Sequence, residues 1–181
     1  MTDSDSMPPT ASTEDKFDPQ AVADRSGVET DERTYVHEDT DHCEADAVGR
    51  VIVGVTNERG ESLLLVDHER SIALLPNTTV DADEGWHAAA RRAVADETGI
   101  EGILDGPVCV REIEHTTEQS ETPHNETFHV VFDASTRDDA EPTALEDSPF
   151  EVGWYDTLPV DISATHPAQG DALEDVQRVL G

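Results

Sequence analysis

Apolar positions in this chain fall into short runs, and most of the runs are spaced as strands. AVGRVIVGVT (47–56) is apolar and rich in valine, NERG follows as a turn, and SLLLV (62–66) completes a predicted hairpin. SIALLP (71–76) reads as a third strand ended by Pro76, which delivers Asn77 and Thr78 into a predicted loop. The period then changes. Trp86, Ala90 and Val94 recur at i, i+4 and i+8, the apolar stripe of a helix that starts at Asp83 or Glu84, runs roughly to Thr98 and is ended by Gly99. PVCVREIEH (107–115) and TFHVVFDA (127–134) are further strands, with a polar loop containing His124 expected between them at 116–125. FEVGWYDTLP (150–159) adds a late strand and turn, and Ala172, Leu173, Val176, Val179 and Leu180 form the stripe of a closing helix. Strands on both sides of a helix predict an α/β domain.

Residues 1–44 break this pattern. They are dominated by Asp, Glu, Ser and Thr, hold few large apolar residues, and are expected to be a mostly disordered acidic tail, with the ordered domain spanning 45–181. Phe17, Val22, Tyr35 and Val36 are the exceptions, enough for a short docking segment. A chain of 181 residues accommodates one core plus such a tail. With 42 acidic against 11 basic residues the net charge is -31, and Lys16 is the only lysine. The composition resembles that of haloarchaeal proteins. In molar salt the Debye length falls to about 3 Å, which screens the self-repulsion of such a surface. The same charge argues against a nucleic-acid partner, which would need Lys and Arg on its phosphates. The apolar runs after Ala47 exceed what an acidic disordered regulator requires.

Cys43 and Cys109 imply no disulfide framework, and His37, His42 and Cys43 lack the paired spacing of a zinc site. With neither a signal-type h-region nor a membrane-length apolar run, the expectation is a soluble, cytoplasmic protein with no membrane partner.

The candidate chemistry lies on the central helix. At about 100° per residue, Asp96 and Glu97 flank position 93 on one face, one turn further along. Two carboxylates projecting together suit Mg²⁺, a hard cation that is often held by one or two carboxylates while waters and substrate phosphates complete its shell. Within TVDADEGWHAAARRAVADETGI, Glu84, Arg92, Asp96, Glu97, Gly99 and Ile100 keep the spacing of the Nudix box, Gly-x5-Glu-x7-Arg-Glu-U-x-Glu-Glu-x-Gly-U, with U aliphatic. FEVGWYDTLP resembles the Glu-x-x-Trp strand and Leu-Pro turn found late in many Nudix domains.

The resemblance to the Nudix hydrolase family implies an α/β/α sandwich with a mixed sheet and a loop-helix-loop metal site. It implies Mg²⁺ or Mn²⁺ at Glu84, Asp96 and Glu97, catalytic roles for Glu97 and Arg92, and a nucleotide-like small-molecule substrate approached by the 116–125 loop. A further carboxylate is expected from Glu141, Glu146 or Glu151, unranked. Three positions depart from the box: Thr78 replaces its first glycine, Asp96 shortens a glutamate, and Ala93 replaces the glutamate after the arginine. Two functions follow. One is a hydrolase, weakened at its centre, that cleaves a diphosphate linkage in a nucleoside diphosphate derivative. The other is a catalytically inactive Nudix domain that binds a nucleotide-like ligand or a protein partner, with Ala93 extending the packed helix face.

Overall fold

The computed structural model describes residues 18–24, 27–38, 47–136, 141–144, 146–159 and 170–180, with side chains of the last segment described from Asp175. In chain order the elements are α1 (Pro19–Ala23), β1 (Glu29–His37), β2 (Gly49–Thr56), β3 (Ser62–Asp67), β4 (Ile72–Leu74), β5 (Asn77–Val80), α2 (Trp86–Thr98), β6 (Ile103–Thr117), β7 (Ser120–Ser135), β8 (Glu151–Tyr155) and α3 (Gly170–Leu180). The strands form one mixed sheet in the order β1-β6-β7-β2-β3-β4, with β5 paired to β2 and β8 to β3. β1 runs parallel to β6 and β2 parallel to β7, while the other pairings are antiparallel.

β2 explains the sandwich. Alternate side chains of a strand point to opposite faces, and both faces of this strand are buried. Val51, Val53 and Val55 join Leu63, Val110, Val130 and Phe132 under Trp86, Ala89, Ala90, Ala93 and Val94 of α2. Ile52 joins Leu64, Val66, Cys109 and Val131 on the other face, under Val176, Val179 and Leu180 of α3. Gly54 makes that second contact possible: a Cβ there would lie 2.5 Å from a methyl of Val179. The NERG turn closes through Asn57, whose side-chain carbonyl accepts from the N–H groups of Arg59 and Glu61, with Gly60 at φ 80. The α/β/α architecture, the β2–β3 hairpin, the central helix and the closing helix thus follow the hydrophobic pattern.

Three expectations are corrected. Part of the predicted tail is ordered: α1 places Val22 in the core at 1% exposure, and β1 is an edge strand in register with β6 from Glu29↔Cys109 to His37↔Thr117. Its half-buried positions are Asp31, Arg33, Tyr35 and His37 while Val36 is exposed, so the two-residue alternation carries no apolar signal. Phe17, His42, Cys43 and the first 17 residues lie outside the described residues. The predicted 116–125 loop is instead the end of a long β6–β7 hairpin turning at Glu118 and Gln119, so His124 stands on a strand. β1 supports the β6 half of this polar stretch through His37↔Thr117. Finally, the predicted loop at Asn77 and Thr78 is strand β5, paired to Ile52 and Val51 of β2. No positive φ occurs there, so the absent glycine is no handicap.

Candidate active site

α2 is capped by backbone at both ends. Gly85 is its N-cap in an extended conformation, and Gly99 terminates it at φ 72, donating its N–H to Ala95 O at 2.9 Å. The turn before it is closed by the Glu84 N–H on Asp81 O at 3.0 Å.

Arg92 ties that turn to the helix and to β5. Its Nε donates to Glu84 Oε2 and its Nη2 to Glu84 Oε1, both at 2.8 Å, a fork-to-fork pairing. Nη2 also donates to Thr79 O at 3.1 Å and Nη1 to Thr78 Oγ1 at 3.4 Å. The guanidinium hydrogen bonds hold the Glu84 carboxyl below its usual range, and Glu84 in turn pushes Arg92 higher. Both Glu84 oxygens therefore accept from Arg92, and the fork ties the turn before α2 to the helix. The contacts of Thr78 and Thr79 with Arg92 cross this turn and leave no periodic signal in the sequence.

Asp96 is exposed and Glu97 half-buried on the following turn of α2. Burial pushes the Glu97 carboxyl above its usual range, and the neighbouring Asp96 charge adds to it. Such a pair repels itself until a proton or a cation arrives, and its oxygen donors suit Mg²⁺ or Mn²⁺. Among the described residues no three His, Cys, Asp or Glu side chains group as a complete metal cage, so an ion here would draw its remaining ligands from water or substrate. Ala93 lies between the two acids, one turn earlier, and is 1% exposed.

The three late acids separate. The Thr143 N–H donates to Thr98 O at 2.8 Å, which lays the segment carrying Glu141 against the C-terminal end of α2. Glu151 begins β8 and pairs with His68 Nε2 at 3.2 Å. Glu146 is exposed in the intervening turn. Glu141 and Glu146 therefore flank the Thr143 contact with the helix end, whereas Glu151 lies on β8.

A single long helix carrying paired acids, fastened by an arginine to the strand before it and laid on a mixed sheet, defines the class of fold. The family model described as NUDIX domain matches residues 46–174, and the chain belongs to the NUDIX family. Among solved structures it is similar to a MutT protein from Methanosarcina mazei Go1, at 23% identity and a TM-score of 0.50, over 73% of this chain and 91% of that one. It is also similar to a NUDIX-family hydrolase from Clostridium perfringens, at 15% identity and a TM-score of 0.51, over 74% of this chain and 96% of that one. These likenesses concern the fold. No curated protein matches the sequence. No helix among the described residues is long and apolar enough to cross a membrane.

Proposed function

We propose that this chain is a divalent-metal-dependent hydrolase that cleaves a diphosphate linkage in a nucleoside diphosphate derivative, at a reduced rate. The observation that carries the reading is the Asp96–Glu97 pair, in which one acid is half-buried and destabilised by the other, on the acidic helix of a NUDIX-family fold. Asp96 and Glu97 would hold Mg²⁺ or Mn²⁺, which when bound would supply Lewis-acid polarisation of the diphosphate. Glu97, half-buried on the acidic face, accepts the proton of the attacking water. Arg92 acts through position: with Glu84 it fixes the turn and β5 against the helix that presents both acids. Glu141 or Glu146, on either side of the Thr143 contact with the helix end, is the replacement for the carboxylate absent at Ala93. With Ala93 in place of a box glutamate the acidic face has one carboxylate fewer for the ion, so a slow enzyme is expected.

The test is hydrolysis with Mg²⁺ or Mn²⁺ in multimolar KCl across nucleoside triphosphates, dinucleoside polyphosphates, ADP-ribose and nucleotide sugars. Turnover should fall at least ~100-fold in Glu97→Gln. An absence of turnover, or turnover indifferent to this substitution, would sink the hydrolase reading. The burial of Ala93 in the core favours a second reading, a domain that binds a nucleotide-like ligand without cleaving it. That reading predicts saturable binding with no product.

A further inference from the structure

Histidines from three strands meet where the last residues of β1 lie on the β6–β7 hairpin. His37 Nε2 and His115 Nδ1 share a hydrogen bond at 2.8 Å, and His115 Nε2 shares another with Thr127 Oγ1 at 2.7 Å. The His37 and His115 rings are stacked, with centroids 5.1 Å apart. His115 is 0% exposed and Thr127 1%, so this chain of hydrogen bonds runs inward from the half-buried His37. Thr117 pairs with Ser120 whereas His115 pairs with Asn125, so residues 121–124 bulge opposite Thr116. The exposed His124 ring stands 6.1 Å from that of His37 and 6.4 Å from that of His115. Tyr35 is edge-on to His115 at 5.9 Å and to His129 at 5.8 Å.

This arrangement limits how many protons the pair can hold. A neutral imidazole has one N–H and one acceptor nitrogen, whereas a protonated one has two N–H groups and no acceptor. The bond between His37 and His115 survives one added proton, because an imidazolium still donates to a neutral neighbour. A second proton sets N–H against N–H. Concentrated salt screens repulsion between exposed charges but leaves that clash in place. The charged groups nearby are placed on every strand. On β1, Arg33 pairs with Asp31, and Glu38 is exposed beyond His37. Glu114 of β6 and Glu126 of β7 are exposed and in register with each other on the opposite face of the sheet. At the hairpin turn, Glu118 donates its backbone N–H to His37 O at 3.3 Å.

We propose that His37, His115 and Thr127 form a proton-operated clasp, which fastens β1 to the sheet near neutrality and releases it when the medium turns mildly acidic. β1 is the edge of the sheet and precedes residue 46, where the family match begins, so it can leave without parting any other pair of strands. The released pair takes up one proton more than the fastened pair. The clasp is therefore at full strength above the ordinary histidine pKa, about 6.5, and weakens as pH falls below it.

Hydrogen–deuterium exchange of the full chain in multimolar KCl, from about pH 8 to about pH 5 and corrected for the pH dependence of free-amide exchange, reads the opening of each strand on both sides of that value. Opening of β1 should rise about tenfold per pH unit in the acid half of the range, the slope of one linked proton, while β2 stays closed. Ordinary carboxylates titrate lower, at about pH 4, and the Arg33 hydrogen bond holds Asp31 of β1 lower still. His37→Gln, whose amide both donates and accepts, should keep β1 in place and flatten the profile. A flat profile in the wild type, a slope that persists in His37→Gln, or β1 and β2 opening together overturns the proposal. Imidazole NMR titration of the wild type decides without any variant: His37 and His115 should together hold no more than one added proton while β1 is protected, and two would reject the clasp.

Discussion

At position 93 the Cβ is already covered by the core, so a carboxylate placed there starts in a poorly hydrated setting beside two other acids. Ala93→Glu should therefore cost about 1 to 3 kcal/mol of stability in chelator. Mg²⁺ or Mn²⁺ should return much of that loss, because an ion that binds only the folded state stabilises it. On the hydrolase reading the same variant should also raise the rate. Melting curves with and without divalent metal check the first part, and a melting temperature indifferent to metal would count against an ion on this face. The residues of this helix were legible because Glu84, Arg92, Asp96, Glu97 and Gly99 follow one continuous spacing. The division of labour among them was not. That Glu84 forks onto Arg92 depends on how the turn at Asp81 folds back, which spacing does not encode.

Among the elements, α2 is joined to β5 by the packing of Val80 and by the Arg92 hydrogen bonds to Thr78 and Thr79, and to the turn between them by the Glu84 fork. The Glu84 carboxyl is depressed by Arg92, so the folded state favours its charged form. The stability it contributes is present above the ordinary glutamate pKa and is lost as pH falls through the lower folded value. Acid unfolding should contain this component, and Glu84→Gln should remove it at a cost on the order of 1 kcal/mol near neutrality, since Arg92 is partly exposed. Parallel pH melts of the two proteins test this; identical pH profiles would show that the fork contributes nothing. β2, β3, α2 and α3 were visible because one or both faces are continuously apolar. β1 and the outer half of the β6–β7 hairpin were not, because they carry polar residues on a half-exposed edge and owe their order to each other.

For the molecule as a whole, the two faces of the sheet are closed by different means. The α2 face is closed by apolar packing, whereas the α3 face also encloses an ion pair: Arg111 at 1% exposure donates from Nη1 to Asp175 Oδ2 at 3.1 Å and from Nη2 to Asp175 Oδ1. In a chain with net charge -31 this pair is shielded from the salt that screens the surface. Asp175→Ala removes the carboxylate that forks onto the buried guanidinium and should cost about 3 to 5 kcal/mol at any KCl concentration, whereas Arg111→Met with Asp175→Leu should recover most of it. Denaturant titrations at low and high KCl measure both, and a loss that disappears in high salt would place the pair in solvent. In sequence, Arg111 interrupts PVCVREI with no hint of a partner 64 residues away.

That distance has a counterpart in time. β1 pairs with β6 from Glu29↔Cys109 onward, and Arg178 of α3 reaches back to an ion pair with Glu29. A strand near the start of the chain must therefore wait, during synthesis, for a partner some eighty residues later and for a clasp near the other end. Pairing of such high sequence separation belongs late in folding. In the interval β1 presents an unpaired edge, and the run of Glu29, Asp31, Glu32 and Arg33 keeps a neighbouring chain from taking β6's place.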